Sequence, residues 1–169
     1  MDVGKAISLI FFCIVQKLLT LWLDSKYRHD AWYIGKDIDK LEKLLKNLQM
    51  PSTTSRVPRS VKKYLKFKGS EYKAILHFGF TAFQNILPHK YYEHMLKLVC
   101  AINIANADYT PDHVYLSEIE CVRRLLNDFY REAQKLYGIR HMNSEYSSIN
   151  YTVNLEGLYV MLLAFVSET

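Results

Sequence analysis

The stretch Asn85-Ile86-Leu87-Pro88-His89-Lys90-Tyr91-Tyr92-Glu93-His94-Met95 constrains the fold of this chain more than any other. Pro88 stands between two apolar runs. It has no amide hydrogen and its ring clashes with the preceding turn, so it cannot continue the first helix. It suits the start of the next, where its missing donor would be unpaired anyway and its fixed φ is already helical. Two helices must therefore meet at residues 87–89. The first reads as 71–87, with Ser70 as its N-cap and Tyr72, Ile75, Leu76, Phe80, Phe83 and Leu87 inward. Gly79 inside it is unfavourable by about 1 kcal/mol relative to alanine and implies close packing. The second reads as 88–105, with Tyr92, Met95, Leu96, Val99 and Ile102 inward.

The remaining segments repeat the helical period. Ile7, Ile10, Phe11, Ile14, Leu18, Leu21 and Trp22 place a helix over 5–23, apolar on nearly all sides in its first half. Ile38, Leu41, Leu44, Leu45 and Leu48 give an amphipathic helix over 36–48, with Lys36, Lys40, Lys43 and Lys46 outward and Pro51 closing it. Thr110-Pro111 opens a helix of about seven turns that Gly138 ends as a C′ glycine. Val114, Tyr115, Ile119, Val122, Leu126, Phe129, Ala133 and Leu136 are its inner face. A polar loop, 139–153, and a C-terminal helix, 154–167, complete the chain. Half of the residues are hydrophobic, which excludes a disordered chain, and 6 Gly with 4 Pro argue against an all-β fold. The expectation is all-α: a single helical domain, 1–169, of about six helices.

Net charge is +5 and unevenly spread. Arg56, Arg59, Lys62, Lys63, Lys66, Lys68 and Lys73 form a basic band broken by one acid, Glu71. From Asp108 to Thr169 there are nine acids against five basic residues. Lysines interleaved with Tyr64 and Phe67 can neutralise phosphates and stack bases. The simpler alternative is that Tyr64, Leu65 and Phe67 pin the segment to the core and leave the lysines in water. Cys13, Cys100 and Cys121 are too widely spaced for a disulfide framework or zinc site and read as buried free thiols. The six histidines show no ligand spacing, and no phosphate loop or nucleophile elbow is present, so no cofactor, metal or small-molecule substrate is expected. The apolar run Ile7–Val15 is interrupted by Gln16 and Lys17 and lacks a cleavage pattern, which argues against a signal peptide or membrane anchor. Asn150-Tyr151-Thr152 is a glycosylation sequon only in a secreted chain.

The order of several motifs resembles that of CACTA-type transposases and host proteins derived from them. These are Val15-Gln16-Lys17-Leu18-Leu19-Thr20-Leu21-Trp22-Leu23-Asp24, Arg56-Val57-Pro58-Arg59-Ser60 and Lys68-Gly69-Ser70-Glu71-Tyr72-Lys73. They continue with Ile86-Leu87-Pro88-His89-Lys90-Tyr91-Tyr92-Glu93-His94, then Leu136-Tyr137-Gly138 before Arg140-His141-Met142, so that the similarity spans roughly 9–142. The resemblance implies a helical insertion from an enzyme with an RNase H-like core, in which acidic residues hold two metal ions. Where that family has an Asp-x-x-His element, this chain has Lys5 and Ser8, and Asp2 is out of register. The family's Asn-x-His has only Asn154-Leu155-Glu156 as counterpart, with Val160 at the second His, and its downstream acidic element has no counterpart before Thr169.

The expectation is a catalytically inactive, transposase-derived binding or scaffold module, nuclear or cytoplasmic. DNA is its candidate partner, held through backbone contacts from the basic band. The alternatives are a protein-interaction or self-association module, and a transposon remnant without selected function. For the former, the candidate interface comprises Ile7, Ile10, Phe11 and Ile14 at one end and Leu158, Leu162 and Phe165 at the other.

Overall fold

The computed structural model describes residues 3–48, 59–105, 112–138 and 141. Within them lie the α-helices α1 (Val3–Leu23), α2 (Ile38–Asn47), α3 (Gly69–His77), α4 (His89–Ala105) and α5 (Asp112–Tyr137). Short 3-10 segments occupy Ser25–Tyr27, Gly35–Asp37, Val61–Lys66 and Gly79–Phe83. No strand occurs among the described residues, and the fold is helical. The expected loop 139–153, the helix 154–167 and the Thr110-Pro111 start signal fall outside the described residues. No helix among the described residues is long and apolar enough to cross a membrane. The chain divides into two compact units, with the boundary between Tyr92 and Glu93, inside α4.

The first unit is built around α1. Ile14, Val15, Leu18, Leu19, Leu21 and Trp22 are all buried, which explains why the sequence is apolar around most of this helix. Thr20 is buried among them and its hydroxyl donates to the Gln16 carbonyl at 2.8 Å. The helix ends where Asp24 turns outward and its carboxylate accepts the Lys26 amide at 2.9 Å, opening the Ser25–Tyr27 turn. The following loop returns to α1, and the Ile34 amide donates to the Trp22 carbonyl at 2.8 Å. One of the carbonyls left over at the helix end is thereby satisfied. The loop also delivers Trp32 edge-on to Tyr91, with centroids 6.2 Å apart, so the aromatics between Asp24 and Gly35 are structural.

The helix expected over 71–87 is interrupted. It stops at His77, and Phe78 leaves helical geometry at φ −135°, ψ −43°. A 3-10 segment then runs from Gly79 to Phe83. Gly79 lies beside the break in close packing: a Cβ there would lie 3.0 Å from Ile75 Cδ1 and 3.2 Å from Leu45 Cδ2 of α2. The turn resets the period: Ala82 and Phe83 are buried, whereas Phe80 is only half-buried. The expected meeting of two helices at residues 87–89 is not found, since a turn over 84–86 separates the 3-10 segment from α4, but Pro88 does start α4 as expected. Its carbonyl accepts from the amides of Tyr91 at 2.9 Å and Tyr92 at 3.2 Å and so opens α4.

In the second unit α4 and α5 run antiparallel. His94 and Lys97, early in α4, meet Phe129, Glu132 and Tyr137 late in α5. Met95, Leu98, Val99, Ala101 and Ile102 of α4 and Val122, Leu126, Phe129 and Ala133 of α5 are all buried. Tyr137, 3% exposed, closes this face in place of the expected Leu136. Gly138 has φ +82° and its amide donates to the Gln134 carbonyl at 3.0 Å, the left-handed termination expected of it. The cysteines are free, but Cys100 is exposed and Cys13 and Cys121 are half-buried, against the buried thiols expected. Position 100 falls outside the inner face that 95, 98, 99 and 102 define on α4.

His94 is fully buried, stacked on Phe129 at 4.1 Å between centroids. Its Nε2 lies 2.8 Å from the Phe129 carbonyl oxygen, which can only accept, so Nε2 carries the proton. Nδ1 has no hydrogen-bond partner among the described residues. Burial lowers the pKa to about 4, against the raising effects of the Phe129 carbonyl and Glu132, while Lys97 lowers it further. The unfolded chain therefore takes up this proton at a higher pH than the folded one. Stability from His94 is complete above pH 6.5 and is lost as pH falls from 6.5 through about 4. The expected loss is about 3 kcal/mol. Urea unfolding between pH 7 and pH 4 checks it: His94→Gln should flatten that part of the profile, and an unchanged slope in the variant would refute the assignment.

Candidate nucleic-acid interface

The basic band is organised by a period of three. Val61, Tyr64 and Phe67 are buried at 1%, 7% and 8% exposure, and Lys62, Lys63, Leu65, Lys66 and Lys68 are exposed. A 3-10 turn holds three residues, so every third side chain shares a face. The segment packs against α1 and α2, and its end reaches Tyr72 of α3. Phe67 lies 5.5 Å from Tyr72 between ring centroids, and the Tyr72 hydroxyl donates to the Tyr64 carbonyl at 2.7 Å. Tyr64 and Phe67 pin the segment to the core, as in the simpler alternative, but Leu65 does not. At 57% exposure it stands on an outward face, because the buried positions are 61, 64 and 67.

One ion pair fixes this segment to α3. The Glu71 side chain is fully buried and accepts from Arg59 Nε and Nη2, both at 2.9 Å. It also accepts the backbone amides of Arg59 at 2.9 Å and Lys68 at 2.7 Å. Arg59 Nη2 donates in addition to the Lys66 carbonyl. The Arg59 guanidinium, with the two amides, holds the Glu71 carboxyl at a pKa of about 2 against the opposing effect of burial. The Lys68 bond also places Glu71 at the third position of α3, where its carboxylate caps the first turn. The cap is thus Glu71 on the Lys68 amide, not the Ser70 hydroxyl.

The lysines divide by their partners. Lys62 pairs with Asp39 at 2.6 Å and lies 3.9 Å from Glu42, both on α2. The Asp39 carboxyl is lowered by its hydrogen bond from Lys62, and the Lys62 ammonium is raised by the same contact. Lys63, Lys66, Lys68 and Lys73 are exposed and make no ion pair among the described residues. Arg56 lies outside the described residues. Of the seven cations in the band, Arg59 and Lys62 thus hold the segment in place and four lysines face water.

Of the candidate apolar interface, only the side chain of Ile14 is among those described. Ile14 is 3% exposed within the first unit. The side chains of Ile7, Ile10 and Phe11, together with Leu158, Leu162 and Phe165, fall outside the described residues. No three His, Cys, Asp or Glu side chains converge as a metal site would require among the described residues. The sequence reading missed the role of Glu71 and the exposure of Leu65. The first had a signal in the acid three residues after Lys68, and the second in the 61/64/67 spacing. No family model, curated protein or solved structure matches this chain.

Replacing Glu71 by glutamine leaves Arg59 beside a neutral group and removes two charge-assisted bonds to amides. The expected loss at pH 7 is about 3 kcal/mol, the lower end for breaking a buried pair, since Arg59 keeps part of its side chain in water. In the wild type the same contribution is present above pH 4.5 and fades as pH falls towards 2. Denaturant titrations of wild type and Glu71→Gln at pH 7 and pH 2.5 should show the difference shrinking in acid. An equal difference at both values would refute the pairing.

Proposed function

We propose that this chain is a binding module without catalytic activity that engages duplex nucleic acid through the phosphate backbone, using Lys63, Lys66, Lys68 and Lys73. The observation that carries the reading is the division of cations. Arg59 and Lys62 are held by carboxylates, and four lysines on the same stretch are left in water. Phosphates are the ligands such a row fits, because each ammonium displaces a condensed counterion on contact. Tyr64 and Phe67 are buried and offer no platform for unpaired bases, which favours a duplex over a single strand. Lysine is a point charge without the fork that reads guanine edges, so low sequence specificity is expected.

The motif order from Val15 to Met142 supports a transposase-derived origin. Lys5 and Ser8, where that family has metal ligands, support the loss of its chemistry. A nuclear or cytoplasmic setting accords with such a partner.

Fluorescence anisotropy with a labelled 25-base-pair duplex tests the reading. Four phosphate contacts give a slope of about −3 to −4 in log K against log salt, or about a hundredfold weaker binding at 200 mM than at 50 mM. Exchanging Lys63, Lys66, Lys68 and Lys73 for glutamate should abolish binding. Lys62 is left in place, because its loss would disturb the contact with α2. Absence of duplex binding at 50 mM salt, or binding that survives the four changes, would overturn the proposal.

A further inference from the structure

We propose that Leu65 is an apolar wedge that enters the minor groove of the bound duplex and bends it, an inference that rests on the duplex-binding reading above. Leu65 is 57% exposed, and no other large hydrophobic side chain stands so far in water among the described residues. Its setting is cationic. Lys63 and Lys66 are two positions before it and one after, and Lys68 is three after; Lys62, three before, is held by Asp39. Lys63 leaves helical geometry at φ −107°, ψ 25°, and Phe67 and Lys68 are extended, so the segment is a kinked ridge with Leu65 on its outer side. The minor groove of B-DNA is about 6 Å wide, and both its walls carry phosphates. Laid over it, the ridge would bring Lys63, Lys66 and Lys68 towards phosphates and the leucine over the floor. Leucine is among the side chains that pry base steps apart in proteins that kink the duplex.

A wedge must be stiff, and this segment is anchored at both ends. Arg59 ties its start to Glu71 and to the Lys66 carbonyl, Tyr72 holds the Tyr64 carbonyl, and Glu71 holds the Lys68 amide. Other occupants fit less well. A single leucine offers far less apolar area than a stable protein interface buries. A lipid surface calls for a whole apolar face in the interface, whereas the apolar face of this segment, Val61, Tyr64 and Phe67, is turned into the protein.

The test is energy transfer between dyes at the two ends of a 25-base-pair duplex with a central TA step, where unstacking is easiest. Wild type should raise the transfer on binding. Leu65→Ala should keep the salt slope, lose the rise in transfer and bind about tenfold more weakly. Leu65→Met, which retains a long apolar side chain, should keep the bend. Thermal unfolding of the variants should match wild type, since the position is exposed. Equal bending by Leu65→Ala and wild type, or binding without any bend, overturns the wedge and leaves salt-dependent binding standing. Absence of duplex binding by wild type overturns both readings. Capture by phosphatidylserine vesicles in place of duplex, lost in Leu65→Ala, would assign the face to a membrane surface and likewise overturn both.

Discussion

The Glu71 carboxylate is the constraint on which the display of the basic segment depends. A buried carboxylate is stable only when its oxygens are supplied with donors and a counter-charge. Here the donors come from both ends of one stretch: the side chain and amide of Arg59, and the amide of Lys68. Meeting that demand closes residues 59–68 into a loop held against α3. Within the loop, two short turns that meet at a kink at Lys63, followed by extended Phe67, bury Val61, Tyr64 and Phe67 together. The exposed side chains follow from that choice, because with three residues per turn the remaining positions can only point outward.

Much of the helical layout was legible because it rests on local rules. Pro88 forces a joint wherever it stands, and α4 begins there. Gly138 ends α5 in the left-handed conformation that its position suggested. What was illegible depends on contacts distant in sequence. The break at Phe78 falls beside Gly79, which packs against Leu45 more than thirty residues earlier, and no local pattern announces it. The candidate site divides in the same way. The lysines are visible in the sequence as a cluster, but the pairing of Arg59 with Glu71 and of Lys62 with Asp39 is tertiary. Those pairs decide which cations are left for a partner. The burial of His94 was hidden too, since a histidine on an apolar helical face looks the same whether its ring faces water or Phe129.

The two buried titratable groups show one physical rule acting with different partners. His94 and Glu71 both have lowered pKa values. For His94 the dominant cause is removal from water, which penalises the cation, so it is neutral in the fold. For Glu71 the cause is an arginine and two amides, which favour the anion in spite of burial, so it is charged in the fold. In both cases acid weakens the fold, but the windows barely overlap. The contact that presents the basic segment therefore withstands acid that already strains the second unit.

Nothing in the stability of the fold calls for the four free lysines. Exposed charges a few ångströms apart interact by about 1 kcal/mol or less in water, and salt screens them over about 8 Å at physiological strength. Lys63, Lys66, Lys68 and Lys73 neither close an ion pair among the described residues nor cover the core, and their mutual repulsion is a small net penalty. Leu65 is in the same position, since its exposure forgoes the transfer free energy that a buried leucine would supply. A duplex partner would reverse both terms at once: phosphates would remove the repulsion between the lysines, and the faces of a partly unstacked base step would take the leucine out of water.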